Sequence, residues 1–138
     1  NFKNRAKTFL VKDKKSKDLN FEKKFNLILS MGVLHHTPYS KQIISNLKEF
    51  LRINGNFLVM LYNKRYKKRL SLKRGYTINN ETFGELTDPT RNGIKNPFSE
   101  DFDDKKVFKL FGNDFNLVSS NYPTLDYNFY KFKYQPNS

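Results

Sequence analysis

Cysteine is absent from this chain of 138 residues, which excludes disulfides, thiolate zinc sites and cysteine nucleophiles together. No apolar run approaches the roughly 18 residues of a membrane span, so no integral membrane segment is expected. No signal-peptide pattern opens the sequence, and nothing in it points outside the cytoplasm. Glycine is sparse: Gly32, Gly55, Gly75, Gly84, Gly93 and Gly112 never come close enough to form a G-x-G loop. Alanine occurs once, at Ala6, and histidine only at His35 and His36. Two adjacent histidines point in different directions and no ligand cluster joins them, so no metal site is expected. The sequence opens on Asn1 rather than Met, giving the expectation of an incomplete gene product.

Positive charge is plentiful. The formal net charge of +13 suits a nucleic acid or an anionic membrane surface. Yet Lys, Asn, Phe, Tyr and Ile make up nearly half of the residues, the bias that AT-rich codons impose. Many lysines are then explained by genome composition, as the charge of a solvated face rather than of a partner site.

Periodicity organises the chain as one domain over residues 1–138. Phe9–Leu10–Val11, ending at Asp13, reads as a short buried strand, and Lys14 to Asn20 as a loop. Phe25 to Met31 is a near-continuous apolar run that stops at Gly32, as expected of a parallel strand covered on both faces. Thr37–Pro38 opens a helix, Thr capping free N–H groups and Pro fitting the first turn. Ile43, Ile44, Leu47, Phe50 and Leu51 give that helix one apolar face. Asn54–Gly55 closes the connection, with Gly55 expected in the left-handed turn, and Phe57 to Leu61 forms the next strand. Strand, crossover helix and strand make a βαβ unit with parallel pairing. Asn63 to Arg74 reads as a very basic helix, and Gly75 to Phe98 as irregular. Asp103 to Phe111 is a helix turning Val107, Phe108 and Phe111 inward. Phe115–Val118 and Phe129–Tyr134 suit a terminal antiparallel hairpin. In an open α/β sheet, ligands bind at the carboxyl ends of the parallel strands, here after Val11, Ser30 and Leu61.

The run FNLILSMGVLHHTP from Phe25 to Pro38 closely resembles the fourth-strand motif of class I, Rossmann-like S-adenosylmethionine-dependent methyltransferases. Leu47 to Leu61 (LKEFLRINGNFLVML) resembles that family's helix, glycine turn and fifth strand. Phe9 to Asp13, followed by Leu19-Asn20-Phe21, resembles its third strand and acidic end. Asn96-Pro97-Phe98-Ser99 and Phe108-Lys109-Leu110-Phe111 look like a substrate-side insertion and its helix. The resemblance implies a partial methyltransferase sheet of the α/β class: parallel strands with a crossover helix, then a C-terminal antiparallel hairpin.

S-adenosyl-L-methionine is the cofactor so implied, and methyl transfer to an unidentified acceptor the activity. Asp13 would accept a hydrogen bond from the adenine amino group, as an ionised carboxylate can. Ser30, Met31 and Gly32 would present backbone to the cofactor's methionine and ribose portions, Gly32 permitting close approach. His35 is placed with the cofactor, and His36, Tyr62 and Asn63 on the substrate side. The histidines shape the strand-to-helix turn and the pocket floor, and either also suits a general base near neutral pH. Ser30 to His36 should therefore form the turn at the carboxyl end of a central parallel strand. The family's glycine-rich loop and second-strand acid have no counterpart here, so the chain reads as a C-terminal portion, inactive alone, whose Phe25–Met31 strand exposes an edge. The stretch Lys64–Arg74 contains seven cations and no acid and would meet a nucleic acid, another phosphate-bearing substrate or anionic lipid. A basic nucleic-acid-binding module without catalysis rests on that charge alone, and a structural remnant on the missing loop.

Overall fold

The computed structural model describes residues 5–22, 24–88 and 97–136. Among them lie four strands and four α-helices: β1 Phe25–Met31, α1 Ser40–Leu47, β2 Leu51–Tyr62, α2 Lys64–Arg74, α3 Asn80–Thr87, α4 Asp104–Phe111, β3 Phe115–Asn121 and β4 Tyr127–Tyr134. The sheet order is β1-β2-β4-β3. β1 and β2 are parallel, whereas β4 runs antiparallel to both β2 and β3. The expected partial sheet, with a crossover helix and a closing hairpin, is present.

Alternation along β2 explains which face is the core. Phe57, Val59 and Leu61 are fully buried and share one face, joined by Tyr130 and Phe132 from β4. Ile43 and Ile44 of α1 and Val107 and Phe111 of α4 close over them. The Phe111 and Phe132 rings stack at 4.0 Å. Each such apolar side chain contributes on the order of 1.5–3 kcal/mol by leaving water.

Several expectations are corrected. Phe9, Leu10 and Val11 form no strand, and Leu10 is 80% exposed. An apolar triplet gains a ladder only from a neighbouring strand, and β1 has none on its outer edge among the described residues. Instead the Phe9 ring meets Phe21 edge-on at 5.1 Å, and Phe21 in turn meets Phe25 and Phe50. β1 is an edge strand rather than a central one and is covered on one face only, with Leu27 and Leu29 exposed. The helix opens at Ser40, because Thr37 Oγ1 accepts from the Tyr39 N–H and so caps a turn ahead of it.

Asn54, not Gly55, takes the left-handed conformation, at φ +65°. Gly55 lies inside β2 for a different reason. A Cβ there would stand 2.8 Å from the Arg52 carbonyl oxygen and 3.2 Å from that of Asn26. The stretch 75–98 is not irregular throughout, since it contains α3, capped where the Asn79 side chain accepts from the Thr82 N–H. Phe108 is 46% exposed, while Val107 and Phe111 point inward as expected. Of the stretch 96–99, Asn96 lies outside the described residues, as does Gly93.

Candidate active site

At the carboxyl ends of β1 and β2 the chain assembles a cluster of rings and hydroxyls. β1 ends at Met31, and Gly32 turns the backbone at φ +72°, a conformation that costs glycine little. A tight turn follows over Leu34–His36, with Leu34 anchored in the core. It leaves His35 only 1% exposed and His36 half-buried. The turn is held from a distance in sequence, since the Glu100 N–H donates to the His35 carbonyl at 2.8 Å.

The two imidazoles, expected to point apart, instead meet Nε2 to Nε2 at 3.1 Å, so one ring donates and the other accepts. His36 Nδ1 lies 2.9 Å from Ser99 Oγ, which lies 3.0 Å from Thr87 Oγ1. The Thr87 hydroxyl also donates to the Phe83 carbonyl. His35 stacks on Tyr62 at 3.7 Å, and Tyr62 meets Tyr66 and Phe83 edge-on. Residues from β2, α2, α3 and the strand-to-helix turn thus form one aromatic nest.

Burial sets its protonation. Loss of hydration, joined by a smaller effect of the adjacent His36 and opposed by the Met60 carbonyl, brings the His35 pKa down to about 3. His35 Nδ1 makes no well-formed hydrogen bond. His36 is also held below its ordinary value by burial, against opposing contributions from the Phe98 backbone and Asp88. Burial raises the Tyr62 phenol, partly offset by the Thr87 hydroxyl. At neutral pH both imidazoles are therefore neutral, and the phenol keeps its proton.

The structure brings Ser30, Met31, Gly32, His35, His36 and Tyr62 to one end of the parallel pair. Ser30 is buried and Met31 is exposed. Asn63 follows Tyr62 but turns to the opposite side of the sheet. Its side-chain amide donates to Asn128 at 2.9 Å, and its oxygen caps α2 by accepting from the Arg65 N–H. Asp13 is not brought in by the sheet. Its carboxylate closes its own turn, accepting from the N–H groups of Lys15 and Lys17. Ser99 was legible only as part of the segment resembling a substrate-side insertion, and Thr87 not at all, since a single hydroxyl in a polar segment leaves no pattern. The Asn79–Glu81 start of α3 was the available clue to Thr87, as a cap followed by an acid in the first turn.

The basic helix is less uniform than its sequence. Lys67 pairs with Asp101 at 3.2 Å, Arg69 with Asp126, and Lys64 loosely with Asp103. Among the described residues, no helix is long and apolar enough to cross a membrane.

Neither a family model nor a curated protein matches the sequence. Solved structures do match its fold. A magnesium protoporphyrin IX methyltransferase from Synechocystis, with bound S-adenosylhomocysteine, superposes with a TM-score of 0.55 at 13% identity, over 83% of this chain and 47% of that one. A 1,6-didemethyltoxoflavin N1-methyltransferase from Burkholderia thailandensis gives 0.56 at 16% identity, over 86% and 47%. An S-adenosylmethionine-dependent methyltransferase from Clostridium acetobutylicum gives 0.56 at 13% identity, over 86% and 61%. The chain thus has part of the class I methyltransferase fold, and it spans about half the length of the structures it matches.

Proposed function

We propose that this chain is the C-terminal portion of an S-adenosylmethionine-dependent methyltransferase, acting on an acceptor still to be identified. The observation that carries the reading is the strand order β1-β2-β4-β3 with the His35–His36–Tyr62 nest at the carboxyl ends of its parallel pair. That is where open α/β sheets bind ligands.

The residues at the end of β1 fit a wall for the cofactor. Gly32 bends the backbone and carries no side chain, so Ser30, Met31 and Gly32 can offer main-chain groups along an edge that no described strand covers. Bound there, S-adenosylmethionine supplies an already activated methyl group, leaving the protein to orient and to exclude water. His35 serves as a buried, neutral packing surface beneath this wall. His36 and Tyr62 border the acceptor. The neutral His36 is held there by its bonds to His35 and Ser99, so that a proton from the acceptor would reach it through the Ser99 hydroxyl. Asn63 fixes the first turn of α2 beside them. Asp13 completes the cofactor site at the adenine once an upstream part of the fold positions its turn. A glycine-rich loop and an acid for the ribose belong to that upstream part.

Calorimetric titration of a protein extended upstream through such a loop tests the proposal. Saturable binding of S-adenosylmethionine at micromolar concentration supports it. An extended protein that carries no such loop, or that binds no cofactor, overturns it.

A further inference from the structure

On the other side of the sheet end from the histidines, α2, α4 and the β3–β4 turn enclose an open cavity of about 970 Å³. Asn63 and Asn128 lie at its base, tied to each other at 2.9 Å. Its cations come from two helices. Lys64, Arg65 and Lys68 start α2, with Arg65 and Lys68 three residues apart on one helix face, and Lys105 starts α4. Two carboxylates oppose them, leaving a surplus of two positive charges in the lining.

Those carboxylates are already engaged. Asp103 caps α4 by accepting from the Lys106 N–H and sits 3.7 Å from Lys64. Asp104 accepts O–H bonds from Tyr122 at 2.9 Å and Tyr130 at 2.7 Å. Arg65, Lys68 and Lys105 form no salt bridge among the described residues, in contrast to Lys67 and Arg69 on the same helix. The opposite wall is different in kind. It consists of Tyr122, Pro123 and Leu125, two of them large side chains about half exposed.

From this arrangement we propose that the cavity is a binding site for a small phosphate monoester with an aromatic or apolar body. A monoester carries close to two negative charges near neutral pH, matching the surplus in the lining. Arg65 offers a planar fork of donors for phosphate oxygens, with Lys68 and Lys105 as point charges beside it. The Tyr122–Pro123–Leu125 wall takes the body of the ester, and the open cavity has ample room for it. The site stands on its own geometry and does not depend on methyl transfer.

Phenyl phosphate is the probe, titrated into the isotopically labelled full chain and followed through its amide resonances. Saturable binding, with shifts confined to residues 63–68, 103–105 and 122–128, supports the site. Inorganic phosphate should bind more weakly for want of the apolar wall, and phenol not measurably. Arg65→Gln combined with Lys68→Gln should weaken phenyl phosphate binding about tenfold or more. Arg65→Lys with Lys68→Arg keeps the charges and should retain most of it, which separates binding from folding. Lys73→Gln with Arg74→Gln, on the same helix beyond the cavity, should leave it unchanged. Absence of saturable binding, or equal affinity after the Arg65 and Lys68 changes, overturns the proposal. So does tighter binding of a single-stranded RNA oligonucleotide with shifts reaching Lys73 and Arg74, which would mark α2 as a nucleic-acid surface.

Discussion

Replacing His35 by phenylalanine removes an ionisable ring that the fold buries while keeping an aromatic ring against Tyr62. The folded-state pKa of His35 lies at about 3, against an ordinary 6.5. Between those values the unfolded chain binds a proton that the folded chain refuses, so stability falls as pH drops through 6.5 and continues falling toward 3. From pH 7 to pH 5 this one group costs about 2 kcal/mol, and the whole span to pH 3 about 4 kcal/mol. Carboxylates remain in both proteins, so the difference between parent and variant reports His35 together with the hydrogen bond it shares with His36. Urea unfolding at pH 7 and pH 5 measures it by linear extrapolation. The parent should lose about 2 kcal/mol more than the variant over that interval. Equal losses would show that His35 takes up its proton in the folded state, refuting the description of the nest as a neutral, desolvated pair.

Gly84→Ala inverts the usual sign of a helical glycine substitution. Alanine is worth about 1 kcal/mol in a helix interior, but a Cβ here would stand 2.6 Å from the Phe98 backbone nitrogen. Net destabilisation of about 1–3 kcal/mol is expected in urea unfolding, with a disturbed His36–Ser99 hydrogen bond seen in the histidine ring resonances. Asn63→Ala removes both the cap of α2 and the bond to Asn128; thermal unfolding should register a loss of about 1–3 kcal/mol, and no change would mean that neither bond stabilises α2. In a protein extended upstream, Asp13→Ala should weaken S-adenosylmethionine binding by about 1–3 kcal/mol, and an unchanged dissociation constant in calorimetry would remove Asp13 from the site.

What the sequence made legible followed from strong local signals. The apolar run of β1 ending at Gly32, the helical face of Ile43 and Ile44, and the apolar run from Phe57 to Leu61 specify the βαβ unit between them. α2 was legible as a helix over Asn63 to Arg74, and the structure makes Asn63 its cap and Gly75 its left-handed end at φ +78°. Where the outcome depended on distant partners, local pattern misled. Phe9–Val11 has strand composition but no neighbouring strand among the described residues, so it docks through the Phe9–Phe21 ring contact instead. α3 hides because a polar octet buries only Phe83 and Gly84, the latter through contact with the Phe98 backbone. The histidines were visible as site residues, but Ser99 and Thr87, which hold His36 in place, become legible only when residues 63 and 12 positions apart in the chain come together.

The most direct measurement is a calorimetric titration of the 138-residue chain alone with S-adenosylmethionine. In the proposed reading the chain supplies the wall at the end of β1 but neither the glycine-rich loop nor the acid for the ribose. Losing two charge-assisted contacts costs on the order of 3–6 kcal/mol, or roughly 100-fold to 10,000-fold in affinity. Very weak binding, without saturation at micromolar cofactor, and no turnover are the expected result. Saturable micromolar binding at a single site would contradict it, showing that these residues build a complete cofactor pocket by themselves.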